Sequence, residues 1–201
     1  MNRRDFLKGA GAAIVPAALP AALWTTAAPM ATAAGVSQVA QTAAPITAVV
    51  FDERYADCRL FADALEKRGA KAFAANQDAV QLWYGALRVY LAEHPGRVAG
   101  LTTYADFSVS QACGRELQLT QVYEGTHDGR RSRTELTHRL STLVRDDGIV
   151  DALGGDSWAT RLADALYRLP APPVSAAARL AMATTPRSVG HPGYLNSWLL
   201  S

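Results

Sequence analysis

Short apolar runs alternate with amphipathic stretches along the first part of the chain. Ile46–Phe51 is a short run of apolar and β-branched residues, which is typical of a strand buried on both faces. Further short runs at Ala70–Ala75, Arg97–Thr102 and Leu119–Tyr123 are also predicted strands. The stretches between them carry apolar residues at helical spacing, so a helix is predicted between each strand and the next. Asp78 is the predicted N-cap of the second of these helices.

Strands and helices that alternate at this spacing predict βαβ units and a parallel sheet. The predicted fold class is α/β, a small doubly wound, Rossmann-like sheet of about four parallel strands with flanking helices and a C-terminal β-hairpin. The second half of the chain is less regular. Thr134–Arg145 and Ser157–Arg168 are predicted helices, and Ala177–Thr184 with Tyr194–Leu200 is the predicted hairpin, although Ala177–Thr184 also fits a helix.

The N-terminal residues lack the strand and helix patterns of the rest of the chain and have the composition of a signal peptide. A basic start is followed by an alanine-rich apolar run that ends near Trp24, which is too short for a membrane span of roughly 20 apolar residues. Ala31-Thr32-Ala33 then fits an A-x-A processing site. Thr26-x-Ala28 is the alternative site, but Pro29 would follow that cut directly. We therefore expect cleavage after Ala33.

The basic start consists of Arg3 and Arg4 followed by Phe6, Leu7 and Lys8. These residues resemble a twin-arginine export signal, and the chain resembles uncharacterised exported proteins of proteobacteria that carry such signals. The resemblance implies that the twin-arginine translocase carries the folded protein to the periplasm. The predicted organisation is a signal peptide at residues 1–33, a flexible lead-in at 34–45 and a single α/β domain at 46–201.

Charge excludes one class of partner. The chain has 20 Lys plus Arg and 18 Asp plus Glu, and the signal peptide removes three basic residues and one acidic residue, which leaves 17 of each. A neutral domain has no electrostatic attraction for nucleic acid, so we expect no nucleic-acid partner. No other apolar stretch approaches the length of a membrane span, so we also expect no stable membrane anchor.

Cys58 and Cys113 are the only cysteines, and disulfides persist in the periplasm. A disulfide is therefore one possibility. The predicted topology, however, places the two residues on opposite faces of the sheet, whereas a disulfide needs Cα atoms within about 7 Å of each other. We expect two free thiols that are buried against the sheet.

Polar residues follow the predicted strands at the edge where an open parallel sheet binds its ligand. Asp52 and Arg54 follow the first strand, and Thr103 and Tyr104 follow the third, so these four are candidate ligand-binding residues. The competing interpretation is that they cap helices and end strands, which strand-to-helix turns routinely require.

Glu124 and His127 follow the fourth predicted strand and are the candidate catalytic residues. An imidazole close to a carboxylate on a strand-end loop fits acid–base chemistry. The alternative is that the two side chains anchor the loop to the second half of the chain. With His138 included as a third possible ligand, the spacing of these residues along the chain is not that of a zinc site, so we expect no metal. The sequence has neither a Gly-x-Gly-x-x-Gly nor a Gly-x-Ser-x-Gly motif, so we also expect no cofactor and no serine nucleophile.

Two functional hypotheses follow from these patterns. The first is a periplasmic binding or accessory protein without enzymatic activity, whose partner is a periplasmic protein or a small molecule. The second is a cofactor-independent periplasmic enzyme that uses Glu124 and His127 for acid–base catalysis. A groove in which these two residues face each other with perturbed pKa values favours the enzyme, and a flat, apolar exposed patch favours the accessory role.

The export signal is tested by changing both arginines, Arg3→Lys and Arg4→Lys. Lysine keeps the charge but lacks the guanidinium group, so the resemblance implies that uncleaved precursor accumulates in the cytoplasm. Immunoblots of cytoplasmic and periplasmic fractions measure the effect. The substitution Lys8→Arg is a matched control that should leave export intact. Normal export of the double variant would contradict the assignment.

Overall fold

The computed structural model describes residues 43–75, 78–143, 148–154, 157–172 and 177–201. The predicted signal peptide and most of the lead-in lie outside these residues. The strands are β1 (Ile46–Phe51), β2 (Lys71–Ala74), β3 (Arg97–Thr102), β4 (Gln121–Asp128), β5 (Glu135–Thr142), β6 (Arg179–Pro186) and β7 (Tyr194–Leu200). The helices are α1 (Ala56–Glu66), α2 (Ala79–Leu82), α3 (Arg88–Glu93), α4 (Tyr104–Glu116), α5 (Gly148–Ala152) and α6 (Trp158–Arg168), with a π-helical turn at Trp83–Leu87 that joins α2 to α3.

The described strands form one mixed sheet in the order β2-β1-β3-β7-β4-β5-β6. Only β1 with β2 and β1 with β3 are parallel pairs, and every other pair is antiparallel. The predicted doubly wound, Rossmann-like sheet of about four parallel strands is therefore wrong. β4 does run in the same direction as β3, but β7 lies between them and pairs antiparallel with both.

The second half of the chain accounts for the other corrections. The stretch predicted as the helix Thr134–Arg145 contains β5 instead, because Leu136, His138 and Leu140 are buried at every second position. The predicted C-terminal hairpin is also wrong. β6 and β7 are both strands, but β6 pairs with β5 at the sheet edge and β7 lies in the middle of the sheet.

The elements of the first half match their sequence signals. Asp78 begins the second helical segment as an N-cap, since its carboxylate accepts a hydrogen bond from the Gln81 backbone N–H at 2.7 Å. Gly85 departs from helical backbone angles within the π-helical turn. Parallel β1, β2 and β3 are therefore assembled as the alternating pattern of strands and helices indicates.

Helices cover the sheet on both sides and form two apolar cores. On one side, α1, α5 and α6 pack over β1, β3, β4 and β7. On the other side, Trp83 packs near Trp198 of β7 at 6.4 Å between ring centroids, and α4 covers β3 and β7. Cys58 belongs to the first core and Cys113 to the second, and both are buried free thiols. The prediction of two unpaired thiols on opposite faces is confirmed.

Candidate functional site

The candidate ligand-binding residues lie at one edge of the sheet. Asp52 and Arg54 follow β1, and Thr103 and Tyr104 lie at the end of β3 and the start of α4, so the parallel pairing of β1 with β3 brings the two loops together. α1 then leads to one face of the sheet and α4 to the other. Such a divergence of connections is the usual position of a binding crevice in a parallel sheet.

Most of these groups already have partners within the protein. The carboxylate of buried Asp52 accepts hydrogen bonds from Arg54 Nε at 2.9 Å and Arg54 Nη2 at 2.6 Å. This bidentate pair raises the pKa of Arg54, with a smaller electrostatic contribution from Asp106. Thr103 Oγ1 donates to Asp106 Oδ2 at 2.8 Å, and Tyr104 is exposed. Thr103 occupies the N-cap position of α4, but neither α1 nor α4 has a side-chain capping hydrogen bond. The contacts of Asp52 and Thr103 are therefore bonds within the strand-to-helix turns and not caps.

The structure does not bring Glu124 and His127 together. β4 continues through both residues to Asp128, so neither residue lies on a strand-end loop. Successive side chains of a strand point to opposite faces, and these two are three positions apart. Glu124 is partly exposed and accepts a hydrogen bond from Gln121 Nε2 at 2.8 Å, whereas His127 has no exposed surface. The expectation of a solvent-reached pair is corrected.

His127 belongs instead to a buried chain of hydrogen bonds across β4, β5, β6 and β7. Its Nδ1 lies 2.6 Å from His138 Nδ1, and its Nε2 lies 2.7 Å from Ser197 Oγ. His138 Nε2 lies 2.8 Å from Thr185 Oγ1 at one end. Tyr123 Oη lies 3.0 Å from Ser197 Oγ at the other end. We call these five residues the histidine network.

The two neutral imidazoles permit two arrangements of protons in the histidine network. When His127 Nδ1 carries its proton, it donates to His138 Nδ1, and His127 Nε2 accepts from the Ser197 hydroxyl. When His138 Nδ1 carries its proton, the direction of each bond reverses. A third proton still fits, with one between the two Nδ1 atoms and one on each Nε2, whereas a fourth would place two donors against each other at 2.6 Å. An imidazolium at either position is therefore disfavoured by its burial and not by this contact.

A second set of polar contacts lies on the side of the histidine network that faces α1 and α6. The Trp158 ring at the start of α6 lies 4.4 Å from the His127 ring and 5.2 Å from the His138 ring. Its Nε1 donates to Ser188 Oγ at 3.1 Å, and Ser188 is also hydrogen bonded to buried Asp57 of α1. His191 lies nearby and accepts a hydrogen bond from the Gly193 backbone N–H at 3.0 Å. These contacts hold the β6–β7 loop over the histidines.

Burial shifts the pKa values of the titratable groups in this region. It lowers the pKa of His127 well below its ordinary value, and the neighbouring histidines lower it further. It lowers the pKa of His138 and of His191 to about 4. It raises the pKa of Asp57, against which the hydrogen bonds from Ser188 and Trp158 act. The histidines are therefore neutral at pH 7.

The arrangement resembles a proton relay, but no reactant reaches it. His127, His138 and Ser197 have no exposed surface, and Tyr123 is 1% exposed. A nucleophile or base must lie within hydrogen-bond reach of a substrate atom, which this enclosure prevents. The contacts support the anchoring interpretation of His127. Sequence reasoning missed Ser197, Trp158 and the partnership with His138, although the buried alternation of Leu136, His138 and Leu140 is visible in the sequence as a strand pattern.

The opposite side of the same strands is open. β4 and β5 present partly buried or exposed polar side chains there, and β6 adds Leu180 and Met182, which are 85% and 65% exposed. The register sets Thr126 opposite Arg139 and Arg139 opposite Met182, so the three strands share one surface. The open face, as we name it, consists of Glu124, Thr126, Asp128, Thr137, Arg139, Ser141, Leu180, Met182 and Thr184.

Two cavities lie apart from the histidine network and from the loops after β1 and β3. One of about 420 Å³ lies between α1 and α6, where Arg68 pairs with Asp164 at 2.8 Å. Another of about 360 Å³ lies between α4 and the start of β4. Within the described ranges, no cluster of three or more His, Cys, Asp or Glu side chains is arranged to hold a metal ion.

Comparison with known proteins identifies one feature, at the N-terminus. The model of the twin-arginine translocation pathway signal sequence matches residues 1–20. No curated protein and no solved structure matches the chain. The chain thus carries a twin-arginine signal and is directed to export across the cytoplasmic membrane by the translocase of that pathway. In the part of the chain that the structure describes, no helix has the length and apolar character of a membrane span.

We expect the variants His127→Ala and Glu124→Ala to differ in stability. His127→Ala leaves Ser197 and His138 without their buried partner, which should lower the free energy of unfolding by about 2–4 kcal/mol. Glu124→Ala removes a partly exposed side chain and should change the free energy of unfolding by less than about 1 kcal/mol. Urea unfolding of the mature protein at pH 7.5 measures both. Equal stability of the two variants would contradict the anchoring role of His127.

We also expect the stability of the protein to fall in acid. A histidine whose pKa is about 4 in the folded state binds its proton in the unfolded chain first, since its unfolded pKa is near 6.5. Stability is then unaffected above pH 6.5 and falls as the pH drops towards 4, by up to about 1.4 kcal/mol per pH unit for each histidine. Asp57 has the opposite effect, because its pKa is raised.

Urea unfolding at pH 7.5, 6.5, 5.5 and 4.5 measures this dependence. The variant His191→Asn keeps an acceptor for the Gly193 N–H but does not titrate, so its stability should fall less steeply. His94 is exposed, and His94→Asn is the matched control for the same change of residue outside this region. A wild-type stability that stays constant between pH 6.5 and 4.5 would show that the buried histidines take up protons freely in the folded state.

Proposed function

We propose that the chain is a periplasmic binding or accessory protein that holds another exported protein on its open face. The observation that carries this proposal is the exposure of Leu180 and Met182, at 85% and 65%, on a surface that otherwise consists of polar side chains. An apolar pair within a polar surface is typical of a protein-binding patch.

The shape of the open face supports a macromolecular partner over a small one. Small-molecule sites are concave and enclose most of their ligand. Three adjacent strands of about eight residues form a gently twisted surface of about 15 Å by 25 Å, from the usual spacing of strands and residues. Such a surface contacts another protein more readily than it encloses a metabolite.

The charges of the open face are of both signs. Asp128 is paired with Arg130 at 2.9 Å, which lowers the pKa of Asp128 to about 2. Arg139 is exposed at the centre of the face, and Glu124 lies near it on β4. Interspersed charges suit a protein surface with complementary charges, because they fix the orientation of the partner more than they add affinity.

Acid–base catalysis by Glu124 and His127 lacks comparable support. The sheet separates the two side chains, and His127 is enclosed by Trp158 and the β6–β7 loop. The candidate ligand-binding residues Asp52, Arg54 and Thr103 are engaged with one another or with Asp106. A small-molecule site at that edge stays a prediction without a contact that favours it.

Site-specific photo-crosslinking in the periplasm tests the proposal. A crosslinking residue at Arg139 should capture one protein, whereas the same residue at Val89, which is 63% exposed on α3, should not capture it. The captured protein is identified by mass spectrometry, purified and titrated against the mature chain. We expect Arg139→Glu to weaken binding at least tenfold and Arg88→Glu on α3 to leave it unchanged. Binding that Arg139→Glu does not affect would contradict the proposal.

A further inference from the structure

β6 forms an outer edge of the sheet, and one hydrogen bond shows which of its backbone groups face outward. The Arg187 N–H donates to the Thr134 carbonyl at 2.8 Å, directly beyond the end of β6. In an antiparallel pair, residues that bond to the neighbouring strand alternate with residues that face away from it. The register continues without a shift from Glu135–Pro186 to Thr142–Arg179. Leu180, Met182 and Thr184 therefore direct their N–H and C=O groups away from β5.

The outward backbone groups and the exposed apolar side chains belong to the same residues. Leu180 and Met182 are 85% and 65% exposed, and Thr184 is also exposed. Natural sheets protect an edge of this length with charges, prolines or bulges. In β6 a charge and a proline stand only at the two ends, at Arg179 and Pro186. Within the residues that the structure describes, the middle of β6 has none of these protections and is a template for another strand.

We propose that the edge pairs with β6 of a second copy of this chain, antiparallel and about a two-fold axis at Met182. In this register Met182 lies opposite the partner's Met182, and Leu180 lies opposite the partner's Thr184. Each of the three outward-facing residues then exchanges both backbone hydrogen bonds with an outward-facing residue. The edge is complementary to itself, which is the requirement of a two-fold interface.

The side chains of β6 are also compatible with this register. The two Met182 side chains lie side by side across the axis, with a Leu180 on each side, so the apolar side chains of both copies form one continuous strip on the joined open faces. Arg179 lies opposite the partner's Thr185, so like charges do not face each other across this pairing. An edge strand of an unrelated protein would need a matching pattern, whereas a second copy supplies it by symmetry.

The pairing would double the open face. A two-fold axis perpendicular to a continuous sheet keeps the equivalent faces on the same side, so the open faces of the two copies join. The combined surface of about 15 Å by 25 Å from each copy approaches the roughly 800 Å² that one partner buries in a standard interface. This consequence rests on the proposed function, but the dimer itself does not.

Cysteine substitution tests the register of the dimer in the purified mature protein. Residues that face each other as a hydrogen-bonded pair have Cα atoms about 5.5 Å apart, which a disulfide can span. Met182→Cys should therefore form a covalent dimer under mild oxidation. Leu180→Cys is the matched control, because each Leu180 lies about 14 Å from its own symmetry mate. Equal crosslinking of both variants, or of neither, would overturn the proposed register.

Sedimentation equilibrium tests the pairing without a crosslink. We expect the wild-type mature protein to be a dimer at 100 μM, and Met182→Pro and Met182→Lys to be monomers with the far-UV circular dichroism spectrum of the wild type. Because association stabilises the folded chain, the melting temperature of the wild type should exceed theirs at this concentration. Proline removes only an outward N–H, and lysine sets two like charges at the axis. Met182→Leu keeps the backbone and the apolar contact and should stay dimeric. A monomeric wild type, or a dimer that survives Met182→Pro, would overturn the proposal, whatever protein binds the open face.

Discussion

The antiparallel pairing of β7 with both β3 and β4 is the constraint on which the fold depends. β2, β1 and β3 form a parallel group, and β4, β5 and β6 form an antiparallel meander. In the described chain the two groups meet through the backbone hydrogen bonds of β7. Each group alone has three strands, which is close to the smallest sheet that is independently stable.

β7 also fixes which side chains enter each core. Ser197 joins the histidine network on one face, and Trp198 packs against Trp83 on the other. A slip of one residue would exchange these two positions, bury an indole among the histidines and leave His127 without its hydroxyl partner. At Gly100 of β3, an added Cβ would lie 2.2 Å from the Trp198 ring, so β3 accepts the indole only at a glycine. Polar and apolar contacts therefore specify the same register.

Local patterns predicted the first half of the chain, and long-range pairing decided the rest. Asp78 as an N-cap and Ile46–Phe51 as a buried strand depend on near neighbours in sequence, so their signals are local. The place of β7 between β3 and β4 depends on residues far apart in the chain, and no local signal encodes it. His127 was misplaced because a polar stretch resembles a loop. Its burial depends on Ser197, some 70 positions further along the chain.

The position of β7 in the chain determines when the sheet can form. Residues 194–200 are synthesised after the six other strands and all described helices, yet they fill the centre of the sheet. Until that segment leaves the ribosome, β3 and β4 each present an unpaired edge, and the chain remains a pair of incomplete sheets that other chains could join. Completion of the sheet thus waits until residues 194–200 have been synthesised. The twin-arginine signal implies a translocase that carries folded protein. Only chains in which β7 has been synthesised have a complete sheet, so the order of synthesis determines which chains are folded when they reach that translocase.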